Sequence, residues 1–126
     1  MMEVLIKAGG IYCLGFVIFH LMFWRLFNWG EDLRSLSFIN RAIMQVLNLS
    51  LTFAFAIFGY ISLFHSRALL ETALGHSLLV FISLFWLLRA IQQVVFFRLK
   101  HWGSAVFLMV FLSGAVLYGI PAANAP

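Results

Sequence analysis

Four apolar runs, at residues 4–24, 42–64, 74–97 and 103–120, dominate this chain. Each is long enough to cross a bilayer as a helix, which takes about 20 residues. In lipid the backbone must satisfy its own hydrogen bonds, so a spanning segment is either a helix or a strand of a closed barrel. These runs are too long and too little alternating for barrel strands. The expected fold is therefore all-α: an integral membrane four-helix bundle with short loops, forming a single transmembrane domain over residues 1–126. The fourth span should stop at Gly119, Ile120 and Pro121, because proline cannot continue a helix and restricts the residue before it.

Composition agrees. Charged residues make up 10% of the chain, against about 25% in soluble domains, too few to cover a water-facing surface. Phenylalanine occurs 15 times, which suits lipid-facing and inter-helix surfaces. A cleavable leader is not expected: residues 1–7 are weakly charged, and Phe23, Trp24 and Arg25 follow the first run where a small-residue cleavage site is needed.

The basic residues are spread over span ends rather than gathered into a patch, so the net charge of +4 is no nucleic-acid signature. Arg25, Arg34 and Arg41 lie between the first two spans, and Arg98 and Lys100 between the last two. Only Lys7 and Arg67 oppose them. The positive-inside rule puts both basic loops in the cytoplasm and both termini outside, in a bacterial-type inner membrane. Trp24, Trp29 and Trp102 should mark the cytoplasmic interface, and Tyr60 and Tyr118 the other. Residues 26–40 mix apolar and charged side chains, as an interfacial helix or an extension of the second span would, with Ser35 or Ser37 as its cap.

Arg89 lies inside the third run, and no acidic residue lies within any of the four to pair with it. A charge at the centre of a span costs roughly 2.5–3.5 kcal/mol on insertion scales and marks a functional site or a bundle-interior contact. Other polar groups reach comparable depths. Arg41, Gln45, Asn48 and Thr52 follow one another at spacings of four, three and four, a single helical stripe that should face the interior. Arg89, Gln93 and Trp86 share a face of the third span. Counted from the basic ends at about 1.5 Å per residue, His20 lies roughly 7 Å deep, Asn48 roughly 10 Å and Arg89 roughly 13 Å.

These depths predict a cytoplasm-facing pocket built by Arg89, Asn48, Gln45, Gln93 and His20. Arg89 would anchor an anionic or carbonyl-bearing amphiphile, such as a lipid headgroup, a carboxylate or a quinone oxygen, since guanidinium stays charged and donates in a planar fork. Such a protein would bind a small molecule or lipid, and a homo-oligomer of it would leave room for transport of that ligand. Two alternatives stand beside it: an accessory subunit of a larger membrane complex, whose partner supplies an acid to Arg89, and a haem- or quinone-binding bundle. Haem fits poorly by depth, because His65 and His76 flank the outer loop, away from His20 and His101. No cofactor and no metal site are expected.

Several classes are excluded. Cys13 is the only cysteine, which removes disulfides, thiol redox pairs and thiolate metal cages. No phosphate-binding loop, HExxH or GxSxG motif occurs, so familiar hydrolytic chemistry lacks its residues. In length and span count the chain resembles the small multidrug-resistance exporters. Those carry a glutamate within the first span, and none stands between Val4 and Trp24. Gly9 with Cys13, and Ser113 with Gly114, offer small surfaces for close helix packing.

Overall fold

The computed structural model describes residues 1–124. Its helices are α1 (Met2–Leu21), α2 (Phe23–Leu26), α3 (Trp29–Asp32), α4 (Phe38–Phe64), α5 (Ser66–Glu71), α6 (Ala73–Gln92) and α7 (Trp102–Asn124). A 3-10 turn at Leu33–Ser35 and a π-helical turn at Gln93–Phe97 complete the chain. Four helices, α1, α4, α6 with its continuation to Phe97, and α7, are long and apolar enough to cross a membrane. No strand occurs among the described residues. The chain forms the all-α four-helix bundle that its apolar runs demand.

Local chemistry sets the helix ends. The first span closes at Leu21, three residues before its apolar run does, because the Met22 N–H is shared between the carbonyls of Ile18 and Phe19 in a tightened last turn. The second begins at Phe38, where Ser37 Oγ accepts the Asn40 N–H at 3.3 Å. Residues 26–40 accordingly divide: α3 and the 3-10 turn form a short separate piece, and Phe38 to Asn40 open α4. Thr72 caps α6 by accepting the Gly75 N–H at 2.9 Å. At its far end α6 widens into the π turn and stops at Arg98, whose φ of 59° is left-handed.

Pro121 does not end the fourth span as expected; α7 runs through it to Asn124. Its missing N–H and its ring affect the Leu117 carbonyl, so a single hydrogen bond is lost within the last turn, where little helix remains to disrupt. Asn124 Nδ2 donates to the Ile120 carbonyl at 2.8 Å, and the proline itself is buried.

Helix α4 packs on α1, α1 on α7, and α7 on α6. The remaining side, between α4 and α6, is closed by side chains: Phe55 and Phe58 reach Phe85 at 5.8 and 5.7 Å between ring centroids. Each spanning helix sends one aromatic ring to a common level. Trp86, fully buried, lies between Phe55 at 5.2 Å and Phe111 at 6.1 Å, both within 13° of parallel, with Phe16 at 4.9 Å. Lipid tails offer no hydrophobic drive for helices to associate, so such packing is what holds the bundle. Each aromatic pair adds about 0.5–1.5 kcal/mol beyond area burial in aqueous systems.

Glycines allow the close approaches. A Cβ on Gly9 would stand 2.7 Å from the Tyr118 ring, and one on Gly114 would stand 2.6 Å from the Tyr12 hydroxyl. Tyr118 is thus fully buried rather than interfacial, drawn inward by the slot over Gly9. Trp29 also turns inward, against Phe23 and Trp24 at 5.4 and 5.1 Å, while Trp102 and Tyr60 stay exposed. Ser113 faces outward and donates to the carbonyl of Val110 in its own helix, so it takes no part in the packing expected of it.

Candidate functional site

The stripe on α4 turns inward as its spacing requires. Asn48 and Thr52 are buried, while Arg41 and Gln45, nearer the basic end, are partly so. Thr52 donates to the Asn48 carbonyl at 2.7 Å, and the Asn48 side chain crosses to α1. Its Nδ2 donates to the His20 carbonyl at 3.0 Å, which turns Oδ1 toward the imidazole, 2.7 Å from Nδ1. Oδ1 can only accept, so the ring carries a proton on Nδ1, and in its neutral form Nε2 is a lone pair. Phe23 stacks on the ring at 4.3 Å and Phe55 meets it at 5.2 Å. His20 and Asn48 are therefore one rigid unit joining α1 to α4 through two hydrogen bonds.

Arg89 is placed differently. It faces α7, with its guanidinium carbon 4.4 Å from the centroid of Phe111 and 5.3 Å from that of Phe97. Phe97 lies eight residues further along, in the π turn, so the guanidinium sits between one ring of the core layer and one nearer the basic end. Nη1 is enclosed by protein and has no hydrogen-bond acceptor. Among the described residues the ion pairs are Arg67 with Glu3 at 3.4 Å and Arg67 with Glu71 at 4.0 Å, both at the opposite end. Arg89 has the two aromatic faces and no counter-charge.

Gln93, one turn beyond Arg89 and buried, also faces α7, where its Nε2 donates to Ser104 Oγ at 2.9 Å. Ser104 in turn donates to the Arg98 carbonyl, fixing the left-handed residue that ends α6. Gln45 folds back onto its own helix, donating to the Arg41 carbonyl at 3.2 Å. The five residues thus fall into two pairs with Gln45 apart: His20 with Asn48 between α1 and α4, and Arg89 with Gln93 between α6 and α7. No hydrogen bond joins the pairs. Phe16 lies between them, 6.3 Å from the His20 ring and 5.6 Å from Phe111, the ring that carries Arg89.

The other histidines stand elsewhere. His101 Nδ1 accepts the Gly103 N–H at 3.0 Å, and its ring stacks on Trp102 at 5.6 Å. His65 and His76 line separate grooves of about 250 and 280 Å³ at the end of the bundle away from Arg89. Among the described residues, no group of three or more His, Cys, Asp and Glu is arranged to hold a metal ion.

A second polar chain escaped the sequence reading. Ser62 donates to the Phe58 carbonyl at 2.6 Å, so Tyr118 must donate to Ser62 Oγ at 2.7 Å, and Cys13 in turn to Tyr118 at 3.4 Å. Each proton has one acceptor, and the chain ties α1, α7 and α4 together. The signal was available in the α4 stripe, which continues from Thr52 through Phe55, Gly59 and Ser62 at the same spacings, all buried. Because its hydroxyl and thiol groups are mutually satisfied, this chain is structural. Arg89 is therefore the polar group in the membrane-spanning part that combines a full charge with an enclosed, unpartnered donor. No family model, curated protein or solved structure matches this chain.

Proposed function

We propose that this chain is a binding protein of a bacterial-type inner membrane, with both basic loops in the cytoplasm and both termini outside. It holds an anionic or amphiphilic small molecule or lipid at Arg89. The carrying observation is the guanidinium lying on Phe97 and Phe111 with Nη1 enclosed and no acid beside it. Two cation–π contacts of about 0.5–2 kcal/mol each offset part of the roughly 2.5–3.5 kcal/mol that a charge at membrane depth costs. They supply no acceptor for the enclosed donor. A carboxylate or phosphate oxygen does both, and the planar fork suits it. Gln93, one turn away on the same face, braces α6 against α7 through Ser104, and Phe16 packs between the His20 ring and Phe111.

The test uses the purified protein in a neutral maltoside detergent. Thermal unfolding is followed while dodecyl phosphate, dodecanoate or dodecyl phosphocholine is added. A ligand that binds only the folded state adds about 2.7 kcal/mol at a hundredfold excess over its Kd. Dodecyl phosphate and dodecanoate should raise Tm, and the zwitterion, whose phosphate is shielded by its own cation, should raise it less. Equal shifts for all three would mean that the alkyl chain alone is recognised, and the proposal would fail.

A further inference from the structure

At the end of the bundle opposite Arg89, a shallow open groove of about 280 Å³ runs along the seam of α6 and α7. Its floor is made by the small residues Gly119, Ala122 and Ala123, and its far wall by Val80 and Leu84. It is apolar except for His76 at one end and Ser83, whose hydroxyl already donates to the Ala115 carbonyl at 2.7 Å. Leu84, Phe81 and Ile120, around the groove, are exposed, so it opens sideways onto the lipid-facing surface rather than into the bundle.

His76 does not fit an apolar wall. It lies one turn inside α6, where the helix leaves the membrane boundary, and its Nδ1 is enclosed with no hydrogen-bond partner. The accessible edge of the ring is then the Nε2 edge. A neutral imidazole has one N–H, and an enclosed unpaired N–H is the rarer and costlier orphan. The proton therefore belongs on Nε2, which gives the groove one donor at its boundary end. From His76 to Ser83 the groove runs seven residues, roughly 10 Å at the helical rise.

We propose that this groove holds one chain of a glycerolipid, with the acyl ester carbonyl accepting from His76 Nε2 and the first part of the hydrocarbon lying over Gly119 and Ala122. A single donor at interface depth, followed by an apolar groove open to the side, matches an ester carbonyl joined to its chain. The groove offers a charged headgroup no arginine or lysine. The site is independent of Arg89 and stands or falls separately.

The test is native mass spectrometry of the protein loaded with a matched pair of phosphatidylcholines, one with ester-linked and one with ether-linked chains. Both lipids carry the same zwitterionic headgroup, so headgroup contacts at Arg89 are common to the two. Wild-type protein should retain the ester lipid roughly fivefold better, the value of one neutral hydrogen bond. His76→Phe should remove that preference, and Ala123→Phe, which fills the groove from an exposed position, should lower retention of both lipids. Equal retention of the two lipids by the wild type, a preference that survives His76→Phe, or retention unchanged by Ala123→Phe would each overturn the proposal.

Discussion

Arg89→Gln should weaken binding of dodecyl phosphate or dodecanoate by about 10- to 150-fold and leave the bundle at least as stable without ligand. The first figure follows from losing one charge-assisted hydrogen bond, about 1.5–3 kcal/mol. The second follows from the opposite sign of the same charge in the empty protein. Glutamine removes a charge that costs roughly 2.5–3.5 kcal/mol at the centre of a span and gives up two cation–π contacts of about 0.5–2 kcal/mol each. Near-cancellation is expected, so Tm in neutral detergent should hold or rise slightly. A residue that only held α6 to α7 would behave otherwise: its loss would lower Tm and change binding no more than unfolding requires. Arg89→Lys, which keeps the charge but not the planar fork, should lie between the wild type and glutamine in affinity. Titration of the two amphiphiles alongside a thermal melt reads both effects on one sample.

The largest structural effect should come from a residue far from that site. Gly75→Val is expected to destabilise the protein by about 3 kcal/mol, at the upper end of ordinary overpacking. Gly75 is buried where α5 folds back on the first turn of α6, and any Cβ there runs into the Ala68 carbonyl and the backbone of Leu69. Backbone cannot swing aside as a side chain can, so α5 must lift and expose Leu69, which is 2% exposed in the native fold. The Thr72 cap on α6, which accepts the Gly75 N–H, would be disturbed as well. Gly15→Val is the control, because a Cβ at that outward position meets nothing within 4 Å. Thermal melts of the two variants in the same detergent should separate clearly; similar melts would mean that α5 is not held where the structure places it.

The spans were legible because lipid leaves a long apolar run almost no alternative to a helix. Their ends were not, because single side chains and single hydrogen bonds decide them. Ser37, one of two serines expected as caps, sets the start of α4, while Met22 closes α1 through a shared N–H that no residue type announces. Pro121 misled because the rule against proline is about helix interiors, and one turn from an end the lost bond matters little. Tyr118 looked interfacial from its position near a span end; its burial depends on Gly9, more than a hundred residues earlier, leaving room for the ring.

At the site, the stripe and the depth estimate put His20 and Asn48 at similar depths on inward faces, which follows from helical geometry; that α1 packs on α4 and joins them does not. Arg89 and Gln93 keep the shared face that the α6 spacing gives them, because the backbone stays α-helical through Gln93; what they meet, Phe111 and Ser104 on α7, depends on the order of the helices around the bundle. A count at 100° per residue has no means of anticipating that.

Whether Arg89 meets a small molecule or another chain is decided by native mass spectrometry of the protein extracted gently from its own membrane. The binding account predicts the chain, alone or as a homo-oligomer, with a fixed small-molecule adduct that disappears in Arg89→Gln and whose mass identifies the ligand class. Recovery only within a larger assembly, with no adduct and with release on Arg89→Gln, would contradict it and make Arg89 a contact for an acidic group on a partner subunit.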